Sequence, residues 1–166
     1  IMVVAAYGKI FKEKFLEIFP QGGINIHPSL LPRHRGPSPI PAAILAGDAE
    51  SGVTIQRIAL KMDRGNILLQ KKVPLQGDET TLDLTGTFSH IAANAVIEVL
   101  RGLQNKTIEE IPQDEGAATY CRLIKKEEGR IDWNESAVCI ERKVRAYFPW
   151  PNAYTTFNGV QLIITK

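Results

Sequence analysis

The chain has little cysteine, little histidine, almost no net charge and no long apolar run. Two cysteines stand among 166 residues, and Cys121 and Cys139 have no metal-binding or redox spacing. A disulfide is unneeded at this size, so both are expected as free thiols in a reducing cytosol. The three histidines, His27, His34 and His90, are not at zinc-ligand spacings, and no metal is expected. No apolar stretch approaches the ~18 residues of a membrane span, so no membrane partner is expected. There is no phosphate loop, no serine inside Gly-x-Ser-x-Gly, no internal repeat and no low-complexity tract. A net charge of +2 permits an anionic partner without demanding one.

What is present is ordinary for a globular chain: 44% apolar and 23% charged residues. The first residues open directly on an apolar run with no basic leader. That run reads as a strand, Met2 to Ala6, and its abrupt start reads as a piece of something longer. Residues 9–18 read as an amphipathic helix with Ile10, Phe11, Phe15 and Ile18 inward. Pro20 to Gly23 is a turn, and residues 24–27 a second strand. Two strands joined by a helix predict a βαβ unit and a parallel sheet buried on both faces.

Pro39 to Ala46 reads as a short helix closed by Gly47. Residues 53–60 and 67–75 are β-rich and too closely connected for a crossover, so they should pair antiparallel. Thr80 to Asp83 is a capping box opening a long helix that Gly102 should end. Residues 104–118 turn polar and read as a linker with few long-range contacts. A new pattern then starts, with a run at 120–124, a helix near 135–147, and two β runs around Asn158-Gly159, a strong hairpin signal. His90 reads as a surface histidine, and Trp133 and Trp150 as packing residues at a junction.

The stretch that carries chemistry is Gly23-Ile-Asn-Ile-His-Pro-Ser-Leu-Leu-Pro-Arg-His-Arg-Gly36. Asn25 and His27 share one face of their strand, because strand side chains alternate. Pro28 stops the strand at its carboxyl edge, where open α/β sheets bind ligands. With no nucleophile elbow present, an amide and an imidazole suit a reaction whose substrate brings its own nucleophile. An amide N–H can stabilise an oxyanion. A histidine can donate or shuttle a proton, and a carboxylate, best supplied by Asp63, can tune it. The same residues also read as a solvated strand end and an ordinary turn aspartate.

Asn-Ile-His-Pro-Ser-Leu-Leu-Pro-Arg-His-Arg-Gly followed by Asp63 in a glycine-containing hairpin loop resembles the folate-dependent formyltransferases. Val3 to Ile10 and Ser51 to Ile58 are also similar to that family's strands. The resemblance implies an α/β fold: the C-terminal half of a Rossmann-like sheet, with parallel strands plus an antiparallel hairpin. It implies a catalytic domain over 1–103 whose N-terminal part is absent, a linker over 104–118, and the start of a small β-barrel domain over 119–166. Asn25, His27 and Asp63 take the family's catalytic positions. Ser29, Leu30, Leu31 and Pro32 fall at its folate site, and Arg33 and Arg35 at a tRNA contact. The donor would be 10-formyltetrahydrofolate. The segments at 115–137 and 142–159 resemble the branch acting on initiator methionyl-tRNA, which implies a cytoplasmic monomer, in a bacterial cytosol or an organelle matrix. Other acceptors in the family are an amino sugar, a glycinamide nucleotide or water, and a fragment could bind folate or tRNA without catalysis. Where the family usually has Asp-Thr-Gly-Asp, this chain has Asp63-Arg64-Gly65-Asn66.

Overall fold

Four runs rich in β-branched residues in the first half of the chain form one sheet. In the computed structural model, which describes residues 1–165, these are β1 (Met2–Ala5), β2 (Gly23–His27), β3 (Glu50–Arg57) and β4 (Ile67–Pro74). They lie side by side in that order. β1 and β2 are parallel, as a βαβ unit requires. β3 and β4 are antiparallel, as their short connection dictates, and β3 is also antiparallel to β2.

Alternation gives this sheet two unlike faces. Ile24, Ile26, Val53 and Ile55 point to the side covered by α2 (Pro39–Ala46) and α3 (Thr81–Asn105), where they meet Ile40, Ile44, Phe88 and Val99 in the core. The opposite face is polar. Asn25 stands across from Gln56, His27 from Thr54, and Thr54 from Gln70. Residues 28–36 lie over this face, and its side chains satisfy their backbone. Thr54 Oγ1 donates to the Ser29 carbonyl (2.6 Å), and Gln70 Nε2 donates to the Leu31 carbonyl (2.8 Å). His27 is therefore part of a buried polar surface rather than a strand end meeting water, and Asn25 is half-buried beside it.

α2 ends as expected, with Gly47 at φ +68°. α3 opens on the expected capping box: Asp83 N donates to Thr80 Oγ1, and Thr80 N to the Asp83 carboxylate. It runs past Gly102, which does not end it. A Cβ there would sit 2.5 Å from Ile108 Cγ1, so glycine serves close packing at that point. The hairpin of β5 (Ala153–Phe157) and β6 (Val160–Ile164) turns at Asn158-Gly159, both with positive φ, and forms a second sheet. His90 is exposed, as expected.

Several expectations are corrected. The first helix, α1, is a single turn, Glu13–Leu16, and Ile10, Phe15 and Ile18 are exposed rather than inward. Phe15 and the aromatics preceding the helix pack on one another instead: Tyr7 on Phe11 at 4.8 Å and Phe11 on Phe15 at 5.2 Å, nearly parallel. β1 alternates between half-buried and exposed, so the parallel pair is not covered on both faces. The connector at 104–118 is not poor in contacts. Ile111 exchanges both backbone hydrogen bonds with Ile67, and residues 119–121 run alongside 32–35. Polar composition concealed these contacts because the backbone and polar side chains make them. Tyr120 forms a single bridge to Arg35, and no regular element follows it up to residue 124. Trp133 and Trp150 are exposed. α4 (Ala137–Ala146), capped by Ser136, lies on α2 and brings Ala146 and Tyr147 into the main core. Among the described residues no helix is long and apolar enough to cross a membrane.

Candidate active site

Asn25, His27 and Asp63 line one cleft of about 660 Å³ beside the carboxyl end of β2. β2 and Pro28 fix the first two. The third sits in the loop between β3 and β4 at φ +53°, a left-handed conformation that costs a non-glycine residue roughly 1 kcal/mol. Two donors grip its carboxylate. Gly36 N donates to Oδ2 (2.8 Å) and Gln56 Nε2 to Oδ1 (2.9 Å). Gly36 has φ +121°, and a Cβ there would come within 2.1 Å of the Cys121 carbonyl oxygen, so only glycine brings this N–H to the carboxylate.

His27 is buried, and each ring nitrogen faces an acceptor. Nε2 lies 2.9 Å from the His34 carbonyl oxygen, which can only accept, so Nε2 carries a proton. Nδ1 lies 3.6 Å from Asp63 Oδ1. That contact is attractive only when a proton is held between Nδ1 and the carboxylate. Burial disfavours the charged ring and is the largest influence on it. The Asp63 charge and the His34 carbonyl oppose burial, and the net effect leaves the His27 pKa below its ordinary 6.5. Asp63 thus acts in the expected direction, but burial outweighs it. Among the described residues nothing hydrogen-bonds the Asn25 side-chain amide, and Asn25 is half-buried at the cleft wall.

The neighbouring residues are placed differently from expectation. Ser29, Leu30, Leu31 and Pro32 do not line this cleft. Ser29 and Leu31 are buried, and the Ser29 hydroxyl donates to the Arg33 carbonyl (2.6 Å). These four residues build the loop that carries the His34 carbonyl to His27. Arg33 is half-exposed and pairs with Asp48, which also takes His34 Nε2 at 2.7 Å. Arg35 is 0% exposed, and its guanidinium donates to Gln113 Oε1 (3.0 and 2.8 Å) and to both oxygens of Glu115 (3.0 and 2.9 Å). It faces inward and presents nothing to a nucleic acid. Gln56 and Gln113 escaped the sequence reading. Period-2 alternation in Val53-Thr-Ile-Gln56 could have found the first, since Thr54 and Gln56 interrupt an apolar strand on one face. Nothing in the local pattern marks the second.

The comparisons with known proteins bear on this geometry. A profile described as formyl transferase matches residues 1–100, and one described as formyl transferase, C-terminal domain, matches 123–166. The chain belongs to the formyl transferase family. The methionyl-tRNA formyltransferase of Treponema pallidum is 49% identical over all 166 residues, which are 52% of that protein. That of Roseiflexus castenholzii is 51% identical over 162 residues, 98% of this chain and 52% of that protein. The chain spans about half the length of the curated relatives it matches. The structure of HypX from Aquifex aeolicus in complex with tetrahydrofolic acid superimposes with a TM-score of 0.84 at 19% identity. It covers 99% of this chain and 28% of that one, and shows that the two share a fold.

Proposed function

We propose that this chain is part of an enzyme that transfers a formyl group from 10-formyltetrahydrofolate to the amino group of initiator methionyl-tRNA, in the cytosol. The observation that carries the reading is the convergence of Asn25, His27 and Asp63 on one cleft. About 50% identity to proteins named for this activity supports it. The cleft also suits a flat donor. Its walls include Tyr7, Ile40, Met62 and Phe88, with a few polar groups converging among them.

The donor supplies a formyl carbon as the electrophile. The Asn25 amide donates to negative charge developing on the formyl oxygen. Burial leaves His27 Nδ1 without a proton in the resting site, and the Asp63 carboxylate beside it favours its taking one. The pair therefore takes a proton from the attacking amine and returns it to the departing nitrogen at modest cost. We further assign residues 119–166 to the opening of the C-terminal domain that holds the tRNA, with α4 docked on the catalytic core. No metal is invoked in this reading.

The test is steady-state formylation of methionyl-tRNA by the full-length protein. Asn25→Ala is expected to lower turnover by about 10²–10³, the usual loss for an oxyanion donor. Transfer to an amino sugar or to water, with none to methionyl-tRNA, would contradict the acceptor. An Asn25→Ala variant with wild-type turnover would contradict the site.

A further inference from the structure

The two partners of His27 come from two loops, and neither loop is held by the sheet alone. The His34 carbonyl belongs to residues 28–36 and the Asp63 carboxylate to the β3–β4 loop. A third segment, the connector before α4, grips both. Its Thr119 and Cys121 bond the backbone of the first loop at Pro32 and Arg35. Its Glu115 and Tyr120 bond Arg35 and also Arg64, the residue after Asp63 (3.2 and 2.8 Å to Arg64).

Gln113 is the centre of this clasp. Arg35 offers only donors, so the oxygen of the Gln113 amide must face it, and the Gln113 nitrogen must face the other way. That nitrogen meets three acceptors: the carbonyls of Asp63 (2.8 Å) and Gly65 (2.7 Å), and Gln56 Oε1 (3.2 Å). Because Gln56 Oε1 is turned toward Gln113, Gln56 Nε2 is turned toward Asp63 Oδ1. The orientation of two amides thus passes from Arg35 to the catalytic carboxylate without a choice at any step. The same nitrogen ties down the backbone of Asp63 in its left-handed conformation.

We propose that Gln113, oriented by Arg35, is a positioning residue that sets the approach of Asp63 to His27, and so makes the active site depend on the connector. The inference rests on the catalytic roles given under Proposed function. It assigns buried Arg35 an internal task and gives the connector a share in the chemistry.

A double-mutant cycle in the full-length protein tests it. Gln113→Met keeps the side-chain length and removes the amide. Gln113→Glu keeps the bond to Arg35 but replaces the donating nitrogen with a carboxylate oxygen facing carbonyl oxygens. Each is expected to lower kcat by about tenfold or more, with KM changed less than about threefold, since a 1 Å misplacement alone can cost on the order of 10². In an Asp63→Asn background the further loss should be under about threefold, because Gln113 acts through that carboxylate. Equal losses in both backgrounds, or no loss, overturn the proposal. The ring signals of His27, followed by NMR through a pH titration, give a readout independent of turnover. Gln113→Met should displace the His27 midpoint when Asp63 is present and not when it is Asn. An undisplaced midpoint overturns the proposal. If the wild-type protein forms no formyl-methionyl-tRNA, the functional reading fails, and the NMR cycle alone decides this inference.

Discussion

The His27 end of the sheet and its β1 edge are made from similarly apolar sequence and are finished in opposite ways. At the His27 end the sheet turns a polar face upward, and a loop and a connector close over it. Among the described residues, Ser51 Oγ alone is a buried side-chain polar atom without a partner. At the β1 edge the same chain leaves Val3, Tyr7, Ile10, Phe15 and Ile18 exposed, around a helix of one turn. Order at the first end comes from polar groups with fixed geometry. At the second, apolar side chains pack loosely on each other, and burial gives little stabilisation.

Truncations should separate the two regions most strongly. Ile24, 0% exposed beneath α3, is expected to cost about 2–5 kcal/mol as Ile24→Ala. Ile18, 66% exposed, should change stability by less than about 0.5 kcal/mol as Ile18→Ala. Denaturant titration of both variants checks this, and comparable losses would mean that the outer side of the β1 edge is covered in solution. Next in size is local opening. Limited proteolysis should cut within residues 7–19 before it cuts 104–118, because Ile111, Gln113 and Thr119 fasten the connector while α1 has no buried residue. A first cut inside the connector would break the contrast.

The smallest effect is a pH dependence of stability. The folded protein depresses the His27 pKa, so between that value and 6.5 the unfolded chain binds more protons. Stability from this group is present above 6.5 and is lost as pH falls toward the folded value. Melting temperatures recorded across that window should fall less steeply in His27→Gln than in the wild type.

The sequence made the strands, the α3 cap, the Asn158-Gly159 turn and the placement of Asn25 and His27 on one face readable, because each rests on a local period or a turn preference. Asp63 was reachable only by asking which carboxylate sits on a tight loop. The connector misled because polar composition looks the same whether side chains face water or face each other, as Gln113 and Arg35 do. The α1 segment misled differently: its apolar spacing is helical, but without a surface to bury that stripe it forms one turn only. The net shift on His27 was not legible either, since it depends on how far the 28–36 loop buries the ring.

The central claim is that Asp63 raises the proton affinity of His27 against the effect of burial, so that the neutral ring can take the amine's proton. The most direct measurement is the pH dependence of methionyl-tRNA formylation, from pH 5 to 9, by the wild type and Asp63→Asn. The account predicts a loss of turnover on the order of 10². It also predicts an acidic limb moved to lower pH, because removing the carboxylate leaves burial unopposed. Near-wild-type turnover with an unmoved profile would make Asp63 a turn residue and contradict the account.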